Sequence, residues 1–142
     1  MHRILLVEDN PADARLVREA LTEGQLVAEL QWVATGEEAL QALRRHDARD
    51  GGEAADMVLL DLNLPGMSGH EVLAEMKRDA VLKRTPVVVL SSSNHATDVG
   101  RAYDAHANAY MIKPQCYEDF VALVVGIRDY WLTSVQLPAR LS

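Results

Sequence analysis

The stretch Met57–Gly66, MVLLDLNLPG, decides how the rest of the chain is read. Its apolar run ends in a single acid, Asp61, and a Pro65-Gly66 turn follows. A continuous apolar run bounded by turn residues reads as a strand covered on both faces of a sheet. An acid at the end of such a strand is displayed at the sheet's edge, where a ligand can reach it.

Working outward, the same grammar recurs. Arg3–Val7 (RILLV) is a short apolar run ending in Glu8-Asp9, and Asn10-Pro11 then reads as an N-cap with Pro in the first helical turn. That helix carries Ala14, Val17 and Leu21 on one stripe, beside Leu16 and Ala20, and Gly24 closes it. Ala28–Val33 (AELQWV) alternates apolar and polar residues, as an edge strand does, and is expected to add nothing to a site. Thr35 with Glu38 forms a capping box for a helix through about Arg44, with Ala39, Leu40 and Leu43 inward. His46–Asp56 (HDARDGGEAAD) is polar and reads as a surface loop. After Asp61, Ser68 and Glu71 form a second capping box, opening a helix with Val72, Leu73 and Met76 inward. Pro86–Leu90 (PVVVL) is another fully apolar strand, ending in Ser91-Ser92-Ser93. A weaker helix over Asn94–Ala105, with Val99 and Ala102 on its face, leads to a short strand at Ala109–Ile112 that ends in Lys113-Pro114. The last helix, about Tyr117–Leu132, has Phe120, Leu123, Val124 and Ile127 as its core stripe. Five strands alternating with five helical patterns predict an α/β fold with a mostly parallel sheet and right-handed crossovers.

At 142 residues the chain fits one domain, expected over residues 1–132 with a tail at 133–142. Its 14 basic and 21 acidic residues give a net charge of −7, which argues against a nucleic-acid footprint. No apolar stretch approaches the roughly 20 residues of a membrane span. The start, MHRILLVEDNP, meets acids too early for a signal peptide. A single cysteine, Cys116, allows no internal disulfide, and the expected location is cytoplasmic.

In open parallel sheets, ligands bind beyond the carboxyl ends of the strands. This chain places Glu8-Asp9 after its first strand, Asp61 after its third, Ser91 after its fourth and Lys113 after its fifth. Clustered carboxylates repel one another unless a cation neutralises them, and a hard divalent ion with oxygen ligands, Mg²⁺ or similarly Mn²⁺, suits them. With such an ion, Asp61 can act as nucleophile toward a phosphoryl group while Lys113 and Ser91 spread the charge on its oxygens. A haloacid-dehalogenase-like phosphohydrolase would carry D-x-D-x-[TV] after the first strand, where this chain has EDNP. A flavodoxin-like cofactor site would need a glycine- and hydroxyl-rich loop there.

The motifs ILLVEDNP, VLLDLNLPGMSG, VVVLSSS and AYMIKP, in this order, resemble the receiver domain of two-component response regulators over nearly the whole chain. The resemblance implies a flavodoxin-like sheet in the order 2-1-3-4-5 with five helices on its two faces. It implies Asp61 as acceptor of a phosphoryl group from a sensor histidine kinase, in a protein that promotes its own phosphorylation and dephosphorylation and is not a turnover enzyme. It further implies Mg²⁺ held by Asp9, Asp61 and the backbone carbonyl of Asn63, with Glu8 linked through water. Ser91 and Lys113 would bind phosphoryl oxygens, Lys113-Pro114 would be a cis peptide, and Ser91 and Tyr110 would form the switch. The alternative for Tyr110 is a half-buried strand aromatic with no switching role. DLNLPGMSG, AYDAHANAYMIKP and DYWLTSVQLP look like the single-domain regulators that partner phytochrome-type kinases. His106 stands where most receivers have glycine, which suggests loop geometry or an interface, and Cys116 replaces a capping Asp.

On this reading no effector domain follows, so the output would come from the receiver's own surface. The expected readout is a homodimer through the fourth helix, fifth strand and fifth helix, using Tyr110, Val121, Val125, Tyr130 and Trp131. Those residues could instead cover the core under the tail. A phosphorylation-independent adaptor and a phosphate sink in a phosphorelay are the alternatives. An adaptor of that kind would have lost the acids or Lys113, and this chain retains them.

Overall fold

The computed structural model describes residues 2–50 and 55–131, the side chains of 46–50 excepted. The strands are β1 (His2–Val7), β2 (Ala28–Val33), β3 (Met57–Leu60), β4 (Val87–Ser91) and β5 (Ala109–Ile112). The helices are α1 (Pro11–Glu23), α2 (Gly36–Asp50), α3 (Gly69–Arg78), α4 (Ala96–Asp104) and α5 (Tyr117–Asp129). The strands form one parallel sheet in the order β2-β1-β3-β4-β5, so chain order reverses between β1 and β3.

The pleat sorts each apolar strand onto two faces. Leu5, Val7, Val58, Leu60, Val87 and Val89 share one core layer with Leu40 and Leu43 of α2 and Val72, Leu73 and Met76 of α3. Ile4, Leu6, Met57, Leu59, Val88 and Leu90 share the other with Val17 and Leu21 of α1 and Phe120, Val124 and Ile127 of α5. Every residue of β3 and β4 is buried, whereas β2 alternates and β5 is half-open, as edge strands should be.

The helix starts follow the side-chain chemistry. Asn10 Oδ1 accepts the Ala12 N–H at 2.9 Å, Thr35 Oγ1 accepts the Glu38 N–H at 3.1 Å, and Ser68 Oγ accepts the Glu71 N–H at 3.2 Å. At Cys116 no side-chain cap forms.

Several expectations need correction. Helix α2 does not stop near Arg44 but runs to Asp50. The polarity of HDARD does not itself end a helix, and nothing in it is a strong helix breaker before Gly51. Gly24 caps α1 at φ −75°, but the left-handed residue is Gln25 at φ 57°. Gly24 is instead where α1 meets α5, since a Cβ there would lie 3.3 Å from Val124. Among the described residues no peptide bond is cis, so Lys113–Pro114 is trans, the intrinsically preferred isomer. Helix α5 ends at Asp129, and Tyr130 and Trp131 continue in a wider turn. The expected tail, 133–142, lies outside the described residues.

Candidate functional site

The carboxyl ends of β1, β3, β4 and β5 converge because parallel pairing places them side by side. Glu8 follows Val7, which is level with Leu60, and Asp61 follows Leu60. The Asp61 N–H donates to the Val7 carbonyl at 3.0 Å, and the Lys113 N–H donates to the Ser91 carbonyl at 2.8 Å. The backbone therefore sets the positions of Glu8, Asp9, Asp61, Ser91 and Lys113 before their side chains interact.

Glu8, Asp9 and Asp61 can each offer a carboxylate oxygen within 4.8 Å of the others. Glu8 and Asp61 are buried and Asp9 is exposed. Lys113 Nζ lies within hydrogen-bond range of Glu8 Oε1, 3.0 Å from Asp13 Oδ2 and 3.1 Å from Asp61 Oδ2. Burial alone would lower the Lys113 pKa, but bonds to Glu8 and Asp13 and the charges of Asp61 and Glu8 hold it above the ordinary lysine value. Glu8 moves the other way: burial, reinforced by Asp61 and opposed by Lys113, pushes its carboxyl up to about 8. Glu8 Oε2 is buried and has no protein partner among the described residues.

That orphaned oxygen, beside two further carboxylates, fits a hard divalent cation, which takes oxygen ligands and supplies the missing positive charge. A carboxylate near a bound cation and an ammonium is also suited to accept a phosphoryl group. Asn63 sits in the loop after β3, where its N–H donates to Asp61 Oδ1 at 3.1 Å. This bond orients the carboxylate from below.

Ser91 is fully buried at the end of β4, and its Oγ accepts the Ser93 N–H at 3.2 Å. Tyr110 is half-buried against the α2–α3 core layer, and its hydroxyl donates to the Ser93 carbonyl at 2.9 Å. Ser91 and Tyr110 thus meet through one loop. Ser93 Oγ also donates to Asp98 Oδ2 at 2.6 Å, tying that loop to α4. Among the residues expected at an interface, Val121 and Trp131 pack partly against the α1–α5 core layer, Val125 is half-buried, and Tyr130 is exposed.

Three contributions were not expected from the sequence. Asp13 joins the lysine because it stands one helical turn beyond Asp9, and that i,i+4 spacing is the signal that could have found it. Trp32 corrects the view that β2 adds nothing: its indole N–H donates to the Glu8 carbonyl at 2.7 Å, and the Glu8 N–H donates to the Val33 carbonyl at 3.1 Å. The Ser93–Asp98 bond is a loop contact with no short sequence signature.

A 2-1-3-4-5 parallel sheet with acids after β1 and β3 and a lysine after β5 defines a phosphoacceptor α/β signalling domain. Residues 4–125 match the response regulator receiver domain, and the chain belongs to that family. It is 45% identical over 129 residues to the probable methanogenesis regulatory protein FilR2 of Methanothrix harundinacea, covering 91% of this chain and 83% of that protein. It is 43% identical over 136 residues to response regulator Rcp1 of Synechocystis, covering 96% and 92% of the two. The crystal structure of the Mn²⁺-bound form of Rcp1 superposes with a TM-score of 0.86 at 42% identity, covering 98% of this chain and 100% of that one. The phosphorylated cyanobacterial phytochrome response regulator RcpA superposes with a TM-score of 0.88 at 44% identity, with the same coverage. No described helix is long and apolar enough to cross a membrane.

Proposed function

We propose that this receiver accepts a phosphoryl group on Asp61 from the phosphohistidine of a sensor kinase of the phytochrome class, in a cytoplasmic pathway. The observation that carries this reading is Lys113 Nζ, 3.1 Å from Asp61 Oδ2, beside the Glu8–Asp9–Asp61 cluster. The likeness to RcpA and Rcp1 supports the phytochrome partner.

Asp61 Oδ attacks phosphorus; the O–P bond forms as the imidazole N–P bond breaks, and the departing nitrogen keeps the electron pair and takes up a proton. Lys113 follows the charge from the carboxylate to the phosphoryl oxygens, and Ser91 offers them a hydroxyl at the end of β4. Asp9, Asp61 and the Asn63 carbonyl would hold Mg²⁺, or Mn²⁺, directly, with Glu8 reaching it through water. When bound, the cation neutralises the carboxylates and accepts a phosphoryl oxygen. The phosphoryl group would draw Ser91 in and let Tyr110 follow through the Ser93 loop.

The test is intact mass after incubation with acetyl phosphate, with and without Mg²⁺. Wild type should gain one base-labile phosphate only with the metal, and Asp61→Asn should gain none. Equal labelling of both proteins would dismiss Asp61 as the acceptor. Transfer from a phosphorylated phytochrome-type kinase should outpace transfer from an unrelated histidine kinase; equal rates would remove the partner assignment.

A further inference from the structure

We propose that Asp13 is a positioning residue that holds the Lys113 ammonium at the mouth of the phosphoryl site. The inference rests on the phosphoacceptor reading of Asp61 and deepens it. Lys113 leaves the half-open end of β5, where its backbone N–H is fixed on the Ser91 carbonyl at 2.8 Å. Its flexible four-carbon stem needs an anchor at the charged end.

Of the carboxylates around Nζ, Glu8 and Asp61 belong to the group able to hold a cation, and Asp13 does not. With a cation and a phosphoryl group in the site, Glu8 would serve the cation and Asp61 would carry an acyl phosphate in place of its carboxylate. Asp13 is then the carboxylate left to the lysine. An ammonium has three donors, so one can stay on Asp13 while the others move from Asp61 to the phosphoryl oxygens. The anchor is itself fixed. Asn10 Oδ1 accepts the Ala12 N–H at 2.9 Å and the Asp13 N–H at 3.4 Å, which sets the first turn of α1. Asp13 stands in the first turn of α1, where the positive end of the helix dipole attracts a carboxylate. An acid serving only that N-terminus would have no reason to place Oδ2 3.0 Å from a lysine 100 residues away.

The test compares wild type, Asp13→Ala, Asp13→Glu and Asp61→Asn in two measurements. The first is the initial rate of phosphate uptake from saturating acetyl phosphate with Mg²⁺, in which the Asp61 O–P bond forms as acetate leaves. The second, without metal, is competitive acetylation by acetic anhydride, with Lys113 modification read by mass against exposed Lys83. Asp13→Ala should slow uptake about tenfold, the loss of one charge-assisted bond at the reacting centre. The same variant should raise Lys113 acetylation several-fold, and Asp13→Glu should restore both. Uptake by Asp13→Ala within about twofold of wild type overturns the inference alone. So does slowed uptake with unchanged Lys113 acetylation, or failure of Asp13→Glu to rescue, because either outcome assigns the loss to the α1 cap. If wild type takes up no phosphate, or Asp61→Asn takes up as much, the phosphoacceptor reading falls and this inference falls with it.

Discussion

Glu8 carries opposed demands: its backbone is held on both sides by β2, while its carboxylate is buried with one oxygen unpartnered. In the metal-free protein burial raises its pKa from 4.5 to about 8. A raised folded-state value means the folded protein binds the proton more tightly than the unfolded chain. The associated stability is therefore complete below about pH 4.5 and is lost as pH rises through 8. Chelator-treated wild type should lose stability between these limits relative to Glu8→Gln, as read by urea melts. Parallel curves for the two proteins would contradict the burial argument. Added Mg²⁺ should reverse the trend by displacing the proton, and Glu8→Gln should respond less. The acids and the lysine of this site were legible in the sequence because each ends a strand, and strand ends converge in any parallel sheet. Asp13 and Trp32 were not, because their contacts depend on the path of a side chain rather than on a strand terminus.

At the scale of elements, the loop from β3 to α3 is the tightest joint in the fold. A Cβ on Gly69 would lie 2.3 Å from the Asp61 carbonyl oxygen and 2.6 Å from Leu62 Cα, so backbone must move to admit it. Gly69→Ala should cost about 3 kcal/mol in denaturant melts and slow phosphorylation by displacing Asp61. A neutral substitution would refute this joint. The end of α4 shows the opposite case. His106 has φ 71°, its N–H donates to the Tyr103 carbonyl at 2.9 Å, and the Ala107 N–H donates to the Ala102 carbonyl at 3.0 Å. These are the paired bonds of a left-handed helix stop, which explains a position that glycine usually fills. His106→Gly should raise stability by about 0.5–1 kcal/mol; a loss of stability would assign the imidazole a contact of its own. Apolar runs and capping boxes made the element order readable. The end of α2 was not readable, because a polar stretch running into Gly51-Gly52 looks like loop whether or not the helix continues through it. Gly24 closes α1 as expected, but the left-handed Gln25 after it had no marker of its own in the sequence.

For the molecule as a whole, the open question is what the α4–β5–α5 face does. Strand β5 pairs only with β4, but its outer edge is not a bare template: the Tyr110 N–H donates to the Tyr103 hydroxyl at 3.2 Å. A capped edge disfavours assembly by strand addition and favours side-chain contact. Tyr103 of α4, Ile112 of β5 and Tyr130 after α5 are exposed apolar side chains on these elements, at 48%, 44% and 59%. Tyr130 is braced edge-to-face on Trp131, with ring centroids 5.6 Å apart. Val121 and Trp131 lean into the α1–α5 core layer, so the expectation that they only cover the core fits them better than it fits Tyr130. A homodimer through this face should therefore depend on Val125 and Tyr130 more than on Val121. Sedimentation velocity of wild type, Val125→Asp and Tyr130→Ala checks this, with Trp131→Ala avoided because its loss would also unpack the core. A dimer that persists in both variants would place the interface elsewhere or leave those side chains outside it. A dimer abolished by Val125→Asp while acetyl phosphate still labels Asp61 would separate output from acceptance. Such separation is expected, because Val125 lies on α5, outside the group of side chains that gathers around Asp61.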